Sequence, residues 1–413
     1  MSAHSGDPMF EPIDLLKTNV SPFPIIRTPP VLHRATILGA GAWGTALAGA
    51  LHRSGIATTL WTRRTESADR LNTTHRSDAL PGISLPPALK ATDDLAAAIR
   101  DTQLLIFAVP ASATRDLARR LAGTFAPGTL VLSASKGFER ETGAFMTQVL
   151  DETFERRVLT GALTGPSFAI EVARSEPTTL TLAMAALDPA HPHHRLARRQ
   201  ADALVRALSQ AAIRVDTTSD AIGAQIGGTL KNQIAIACGM AAALGLGENA
   251  RAGILTRGLD DMRRLTLALG GRPDTLLGSC GVGDLFLTAA SHQSRNTRLG
   301  MRLAGGSPAT DAEGHELAEG AISARTVAIL ESRLGIHLEL AAAVRDVLDG
   351  IRSPGQALAG LLEPQAQART PSRPGAAAAH PPTAAPLPAL LRPLQRRQAV
   401  TAAMPHAREC SHV

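Results

Sequence analysis

Lys231 lies in GGTLKNQIAIACG (residues 227–239), a helix-like run that is otherwise small, apolar or amide-bearing. An ammonium among Ile234, Ala235, Ile236 and Ala237 loses hydration, so it requires an acidic partner, a path to solvent or a chemical task. The task open to it is proton transfer, because burial brings a lysine pKa down toward neutrality. The plain alternative is a lysine whose stem snorkels from a buried helix. A second motif bears on the choice. Gly39-Ala40-Gly41-Ala42-Trp43-Gly44 follows an apolar strand and opens a helix. Gly39 permits the tight turn, Gly41 lets the backbone approach a pyrophosphate, and Gly44 lets the helix pack on the strand. The helix N-terminus then meets the phosphates. Together the motifs point to proton movement at a carbonyl beside a nicotinamide.

The end of the second strand informs the choice of nucleotide. An acid there commonly binds the adenosine 2′-hydroxyl of NAD. This chain has Trp61-Thr62-Arg63-Arg64, and its first acid is Glu66. Two guanidiniums suit a 2′-phosphate through charge-assisted hydrogen bonds. NADP(H) is therefore the preferred cofactor and NAD(H) a possible one; the alternative for Arg63 and Arg64 is a solvated turn. No metal site is expected. The thirteen histidines cluster poorly for catalysis, and His191, His193 and His194 fall in a polar loop without further metal ligands.

These groups must be positioned by a chain of 413 residues, enough for two domains with real cores. Aromatics are 3% and Tyr is absent, so the core is built from Ala, Leu, Ile and Val, and stacking-based recognition of single strands is disfavoured. The formal charge is +6, but residues 365–413 alone carry six Arg against one Glu. The rest is near neutral, so the basic pI of 10.0 is no sign of a specific nucleic-acid function. Cys238, Cys280 and Cys410 are too few and too oddly spaced for a disulfide framework or zinc site. No apolar run reaches membrane-spanning length, and residues 1–30 lack the pattern of a secretory signal, so a cytoplasmic location is expected.

Strands are expected at Ala35–Leu38, Ala57–Thr62, Leu104–Val109 and Leu130–Ser133, with more at Leu159–Leu163, Thr179–Ala183 and Ile213–Val215. Helical stretches, beginning with Trp43–Arg53, separate them. This alternation implies an α/β, doubly wound, mostly parallel sheet. After residue 218 strand-like runs largely disappear, and helices are expected at 219–245, 249–270, 294–304, 318–334 and 338–350. The expected organisation is an extended lead-in (1–33), a Rossmann-type dinucleotide-binding domain (34–218), an all-α substrate-binding domain (219–364) and a disordered Pro/Ala/Arg-rich basic tail (365–413).

Nine motifs in order carry a family resemblance: GAGAWGTALA (39–48), VP (109–110), SKG (135–137), GPSFA (165–169), GGTLKNQIAIACG (227–239), NARAGILTRG (249–258), GVGDLFLT (281–288), QSRN (293–296) and AEG (318–320). Over residues 35–362 the chain resembles the bacterial NAD(P)-dependent glycerol-3-phosphate dehydrogenases. The resemblance implies a Rossmann domain followed by a helical domain, usually dimeric. It also implies reversible reduction of dihydroxyacetone phosphate to sn-glycerol 3-phosphate for phospholipid synthesis. Lys231 is similar to the family's proton donor/acceptor, and Lys136 to a lysine touching cofactor and substrate. Gly165, Ser167, Asp284, Ser294, Arg295 and Asn296 resemble substrate-binding residues. Ala42, Trp43, Arg63, Ala169, Arg295, Leu317 and Glu319 resemble cofactor contacts. GAISARTVAIL, following Glu319, lacks the large polar or aromatic residue that relatives often place there, and the lead-in and tail have no counterpart.

The implied chemistry suits these residues. Negative charge grows on a ketone oxygen, and a partly desolvated ammonium stabilises it before giving up its proton. Ser294-Arg295-Asn296 at a helix start can gather N–H groups, a guanidinium, an amide and a hydroxyl on one dianion. Lys136 is expected at the carboxyl end of the sheet, where open α/β folds bind ligands. Asp284 can orient the ammonium, bind a terminal hydroxyl, or cap a helix after Gly283. Arg257 is expected to pair with Asp260 and Asp261, while Arg251 either joins them or lines the cleft. Two other functions compete. A β-hydroxyacid or 6-phosphogluconate-type dehydrogenase would place an asparagine four residues after the lysine, where this chain has Ala235. A non-catalytic NADP-binding sensor would have lost some of Lys231, Asp284 and Arg295, which are all present.

Overall fold

Short apolar runs flanked by helices build an eight-stranded sheet: β1 (Arg34–Leu38), β2 (Ala57–Trp61), β3 (Lys90–Thr92), β4 (Leu104–Phe107), β5 (Leu130–Ser133), β6 (Leu159–Thr164), β7 (Thr178–Ala183) and β8 (Ile213–Thr218). The structure is a computed structural model and describes residues 32–291, 293–307 and 319–363. Its strand order is β3-β2-β1-β4-β5-β6-β7-β8, parallel throughout except for β6 against β7. Every residue of β4 and β5 is buried, as expected of strands covered on both faces. The covering helices are α1 (Ala42–Arg53), α2 (Thr65–Thr74), α3 (Leu95–Ile99), α4 (Ala111–Leu121), α5 (Met146–Thr153), α6 (Ala169–Ala173) and α7 (His194–Ser209). β3 was not foreseen: it is three residues long and begins with an exposed lysine, so it offers no apolar run to read.

The remaining helices are α8 (Ala221–Ala243), α9 (Glu248–Ala268), α10 (Asp284–Ala290), α11 (Arg295–Ala304), α12 (Glu319–Leu334), α13 (Glu339–Leu348) and α14 (Pro354–Leu362). α8 is buried almost from end to end, and α9 to α14 pack around it. It is apolar on all sides, as a helix at the centre of a bundle must be. Its closest neighbour, α11, approaches through facing glycines. A Cβ on Gly239 would stand 2.0 Å from the Thr297 carbonyl oxygen, and one on Gly300 2.0 Å from that of Ile236.

The five expected helices of this part are present within about two residues at each described end, the usual spread of such boundaries. α10 and α14 were missed. α10 is seven residues long and follows a glycine-rich turn, whereas α14 carries a readable start in Ser353, Pro354 and the capping partner Gln356. The expected Arg257 pairing is corrected: Asp260 takes Arg263 and Arg264, and Asp261 accepts the N–H groups of Leu340 and Ala341. His194 belongs to α7 rather than to the preceding loop. Residues 1–31, Leu317 and the tail from 364 lie outside the described residues.

Candidate active site

The order of strands reverses at β1, whose neighbours are β2 and β4, and the cofactor motif leaves the carboxyl end of that strand. Gly39 has φ +114°, and a Cβ there would lie 2.7 Å from the Ala108 carbonyl oxygen at the end of β4. Gly44 is pressed against the turn itself, its would-be Cβ 1.9 Å from the Gly39 oxygen. Gly41, by contrast, caps α1 with nothing within 4 Å of its Cβ position. The turn is therefore closed toward the protein and open toward solvent, a cradle that fits a pyrophosphate on the N–H groups of Ala42, Trp43 and Gly44. Ala169 opens α6. Arg63 and Arg64 are both exposed, but only Arg64 lines a small cavity with Ala40, Ser67, Arg70, Arg76 and Asp78.

A buried charged group sits where the two parts of the chain meet. Lys231, on α8, is 5% exposed, and Asp284, at the start of α10, is fully buried. The Lys231 ammonium donates to Asp284 Oδ1 and, over 2.7 Å, to Thr288 Oγ1. Lys136, from the loop after β5, donates to Asp284 Oδ2 at 2.8 Å. Asp284 thus orients both ammoniums. It does not cap its helix: the N-cap is Gly283, and the carboxylate is spent on the lysines. Burial, reinforced by the charge of Lys136, brings the Lys231 pKa down to about 7 against the opposing pull of Asp284. Burial also works against the charge of Lys136, but Asp284, with help from Glu319, holds this ammonium above the ordinary lysine range. The two lysines are therefore driven apart: one is poised to exchange a proton, the other stays charged.

Thr288 is the member that sequence reasoning missed. Its hydroxyl accepts from Lys231 and donates to the Asp284 carbonyl at 2.7 Å. The signal was the four-residue step from Asp284 in DLFLT, which puts both on one helix face. The Gly165–Ser167 turn comes off β6 beside the same group. Gly165 has φ +140°, Ser167 donates to its carbonyl at 3.2 Å, and Pro166 borders Gly283.

The Ser294–Asn296 trio opens α11 as expected, with three different assignments. Ser294 is the N-cap, accepting from the Thr297 N–H at 3.2 Å. Arg295 is exposed. Asn296 turns inward, donating to Asn232 Oδ1 at 3.0 Å and accepting the Gly320 N–H at 3.1 Å, so it ties α8 to α12. Glu319, next to Gly320, is exposed and close enough to act on Lys136. Arg251 bonds Glu248 and, at 3.4 Å, the Ala289 carbonyl, which puts it at the far end of α10 from Asp284. Among the described residues no cluster of His, Cys, Asp and Glu is arranged to hold a metal, and no helix is long and apolar enough to cross a membrane.

A Rossmann-type sheet with its glycine turn, joined to a helical part whose buried Lys231 and Asp284 meet Lys136 of the loop after β5, defines a nicotinamide-dependent dehydrogenase. Comparison with known proteins narrows this. Residues 34–190 match the model of the N-terminus of NAD-dependent glycerol-3-phosphate dehydrogenase, and residues 220–359 that of its C-terminus. The chain is 41% identical over 335 residues to glycerol-3-phosphate dehydrogenase [NAD(P)+] of Rhodospirillum rubrum, covering 80% of this chain and 93% of the relative. It is 43% identical to that of Methylibium petroleiphilum, covering 81% and 98%. The crystal structure of glycerol-3-phosphate dehydrogenase from Coxiella burnetii aligns with a TM-score of 0.74 at 33% identity, covering 81% of this chain and all of that one. The protein belongs to the NAD(P)-dependent glycerol-3-phosphate dehydrogenase family.

Proposed function

We propose that Lys231 is the proton donor and acceptor in the reversible NAD(P)H-dependent reduction of dihydroxyacetone phosphate to sn-glycerol 3-phosphate. The observation that carries this reading is the lysine's setting: buried on α8, held by Asp284 and Thr288, with its pKa at about 7. When bound, the nicotinamide supplies or takes the hydride. In the reducing direction protonated Lys231 meets the growing negative charge on the ketone oxygen and gives it a proton. In the oxidising direction neutral Lys231 takes the proton back. Lys136 remains charged throughout and, with exposed Arg295, faces the phosphate; Gly165, Ser167, Ser294 and Asn296 shape that side of the site. Binding of the remote phosphate positions the ketone. Phospholipid synthesis in the cytoplasm and a homodimeric state belong to the same reading, as does the division into a cofactor domain (34–218) and a substrate domain (219–364). Because the acid form serves reduction and the base form oxidation, reduction is expected to fall, and oxidation to rise, through an inflection near pH 7. Profiles of both directions that are flat from pH 6 to 9 would remove Lys231 from proton transfer.

The preference for NADP(H) rests on the cavity after β2. Arg64, Arg76 and Ser67 line it beside Ala40 of the glycine turn, and neither Arg64 nor Arg76 has an acidic partner among the described residues. The one acid there, Asp78, is engaged by Arg70. Such a setting suits a 2′-phosphate and gives NAD(H) nothing equivalent. Arg63 plays the lesser part, being absent from the lining. The test is the Michaelis constant for each cofactor. Arg64→Ala and Arg76→Ala are expected to raise that for NADPH roughly ten- to hundredfold, as for a lost charged hydrogen bond, and to leave that for NADH nearly unchanged. Equal effects on both cofactors would sink the assignment.

A further inference from the structure

The two lysines come from opposite parts of the chain, and their ammoniums must meet on one carboxylate. Asp284 alone does not fix this, because the Lys136 side chain has four rotatable bonds and begins in a loop. The loop is held at its base. The N–H of Gly137, next to Lys136, donates at 3.1 Å to Thr229 Oγ1 on α8. Thr229 is 1% exposed, and its hydroxyl proton goes to the Gln225 carbonyl at 2.8 Å, which leaves its oxygen oriented to accept. One residue earlier on α8 is Gly228, and its would-be Cβ lies 3.7 Å from Lys136 Cγ. Gly228 and Lys231 are three apart and share a helix face. The Lys136 stem therefore starts from a backbone pinned by Thr229, passes over a residue without a side chain, and ends beside Lys231 on Asp284.

We propose that Thr229 is a positioning residue for this reaction: by fixing the Gly137 backbone to α8 it sets where the Lys136 ammonium stands relative to Lys231. The inference rests on the reading of Lys231 as the proton carrier. Its consequence is electrostatic. The charged groups facing Lys231 are Lys136 from the loop and Asp284 from α10, while Glu319 of α12 acts on Lys136. Lys136 pushes the Lys231 pKa down. A loop released from Thr229 relaxes that push, and the Lys231 inflection moves up toward the ordinary lysine range. Other contacts between α8 and the same part of the chain lack this consequence. Gln225 and Thr147 exchange two hydrogen bonds, from the Thr147 N–H at 3.2 Å and the Gln225 amide at 2.9 Å, and neither touches a lysine.

The experiment is the pH dependence of kcat in both directions for the full chain and four variants. Thr229→Val removes the acceptor at nearly constant volume, and Thr229→Ala does so without crowding. Both are expected to lower kcat near pH 7 roughly ten- to hundredfold, the scale of a misplaced catalytic group, and to move the inflection upward. Thr229→Ser keeps the oxygen and should restore the wild-type profile. Thr147→Val removes a buried contact of the same helix and should lower Tm without moving the inflection. The proposal is overturned by a wild-type inflection and kcat in a folded Thr229→Val or Thr229→Ala, or by an equal displacement in Thr147→Val. Absence of turnover in the wild type itself would instead overturn the reading of the reaction.

Discussion

Asp284 decides how the site works at the scale of single residues. With Lys231 protonated, two ammoniums on one carboxylate leave a net positive charge, which suits a phosphorylated, anionic substrate. The sequence left three roles open for this aspartate; the structure removes the helix cap and puts the carboxylate on both ammoniums. What was legible was the need: a lone lysine in an apolar helix requires an acid. Asp284 entered as a candidate only through the family motif GVGDLFLT, because 53 positions separate it from Lys231. Since Asp284 holds the Lys231 pKa up against burial, Asp284→Asn is expected to move the inflection below about pH 7 and to lower kcat. An unmoved inflection in that variant would mean that the carboxylate does not govern the lysine. Lys231→Ala removes the proposed proton carrier itself. It should cost about 10²–10⁴-fold in kcat while leaving NADPH binding intact, as measured by nucleotide fluorescence titration.

At the scale of elements, the long and periodic pieces were readable and the short ones were not. β1, α1, α8 and α9 announce themselves by apolar runs, glycine punctuation or length. β3 and α10 are too short to show a period, yet α10 carries Asp284 and Thr288. Helix termini hold a further consequence. Asp261 of α9 is 3% exposed and accepts the N–H groups of Leu340 and Ala341, capping α13 from another helix. Burial, opposed by these N–H bonds, pushes its pKa up to about 6. A folded-state value above the unfolded one means that the folded protein binds the extra proton. This contribution to stability is whole below about pH 4 and is lost as pH rises through about 6. Asp261→Asn keeps an acceptor oxygen without the charge. Its Tm is expected to exceed that of the wild type at pH 8, with the gap closing toward pH 4. A gap independent of pH would show that the charge is not the cause.

The molecule joins a cofactor cradle at the carboxyl end of a mostly parallel sheet to a helical bundle built around α8. The lysine–aspartate group lies where they meet: Lys136 comes from the sheet part, and Lys231 and Asp284 from the bundle. Strand–helix alternation followed by helices alone made this architecture legible before any motif was weighed. The arrangement inside the site was less so, as Asn296 shows: both ends of its amide join α8 to α12, a tie that no motif announces. The basic segment 366–413 follows α14 in the sequence, and its removal is expected to leave kcat unchanged; a large loss would tie it to the catalytic body. The most direct test of the central claim is the oxidation of NADPH by purified protein with dihydroxyacetone phosphate, set beside unphosphorylated dihydroxyacetone and the Lys231→Ala variant. The account predicts turnover with the phosphorylated ketone alone, lost in the variant. A folded, NADPH-binding wild type that ignores dihydroxyacetone phosphate, or a variant that turns it over normally, would contradict it.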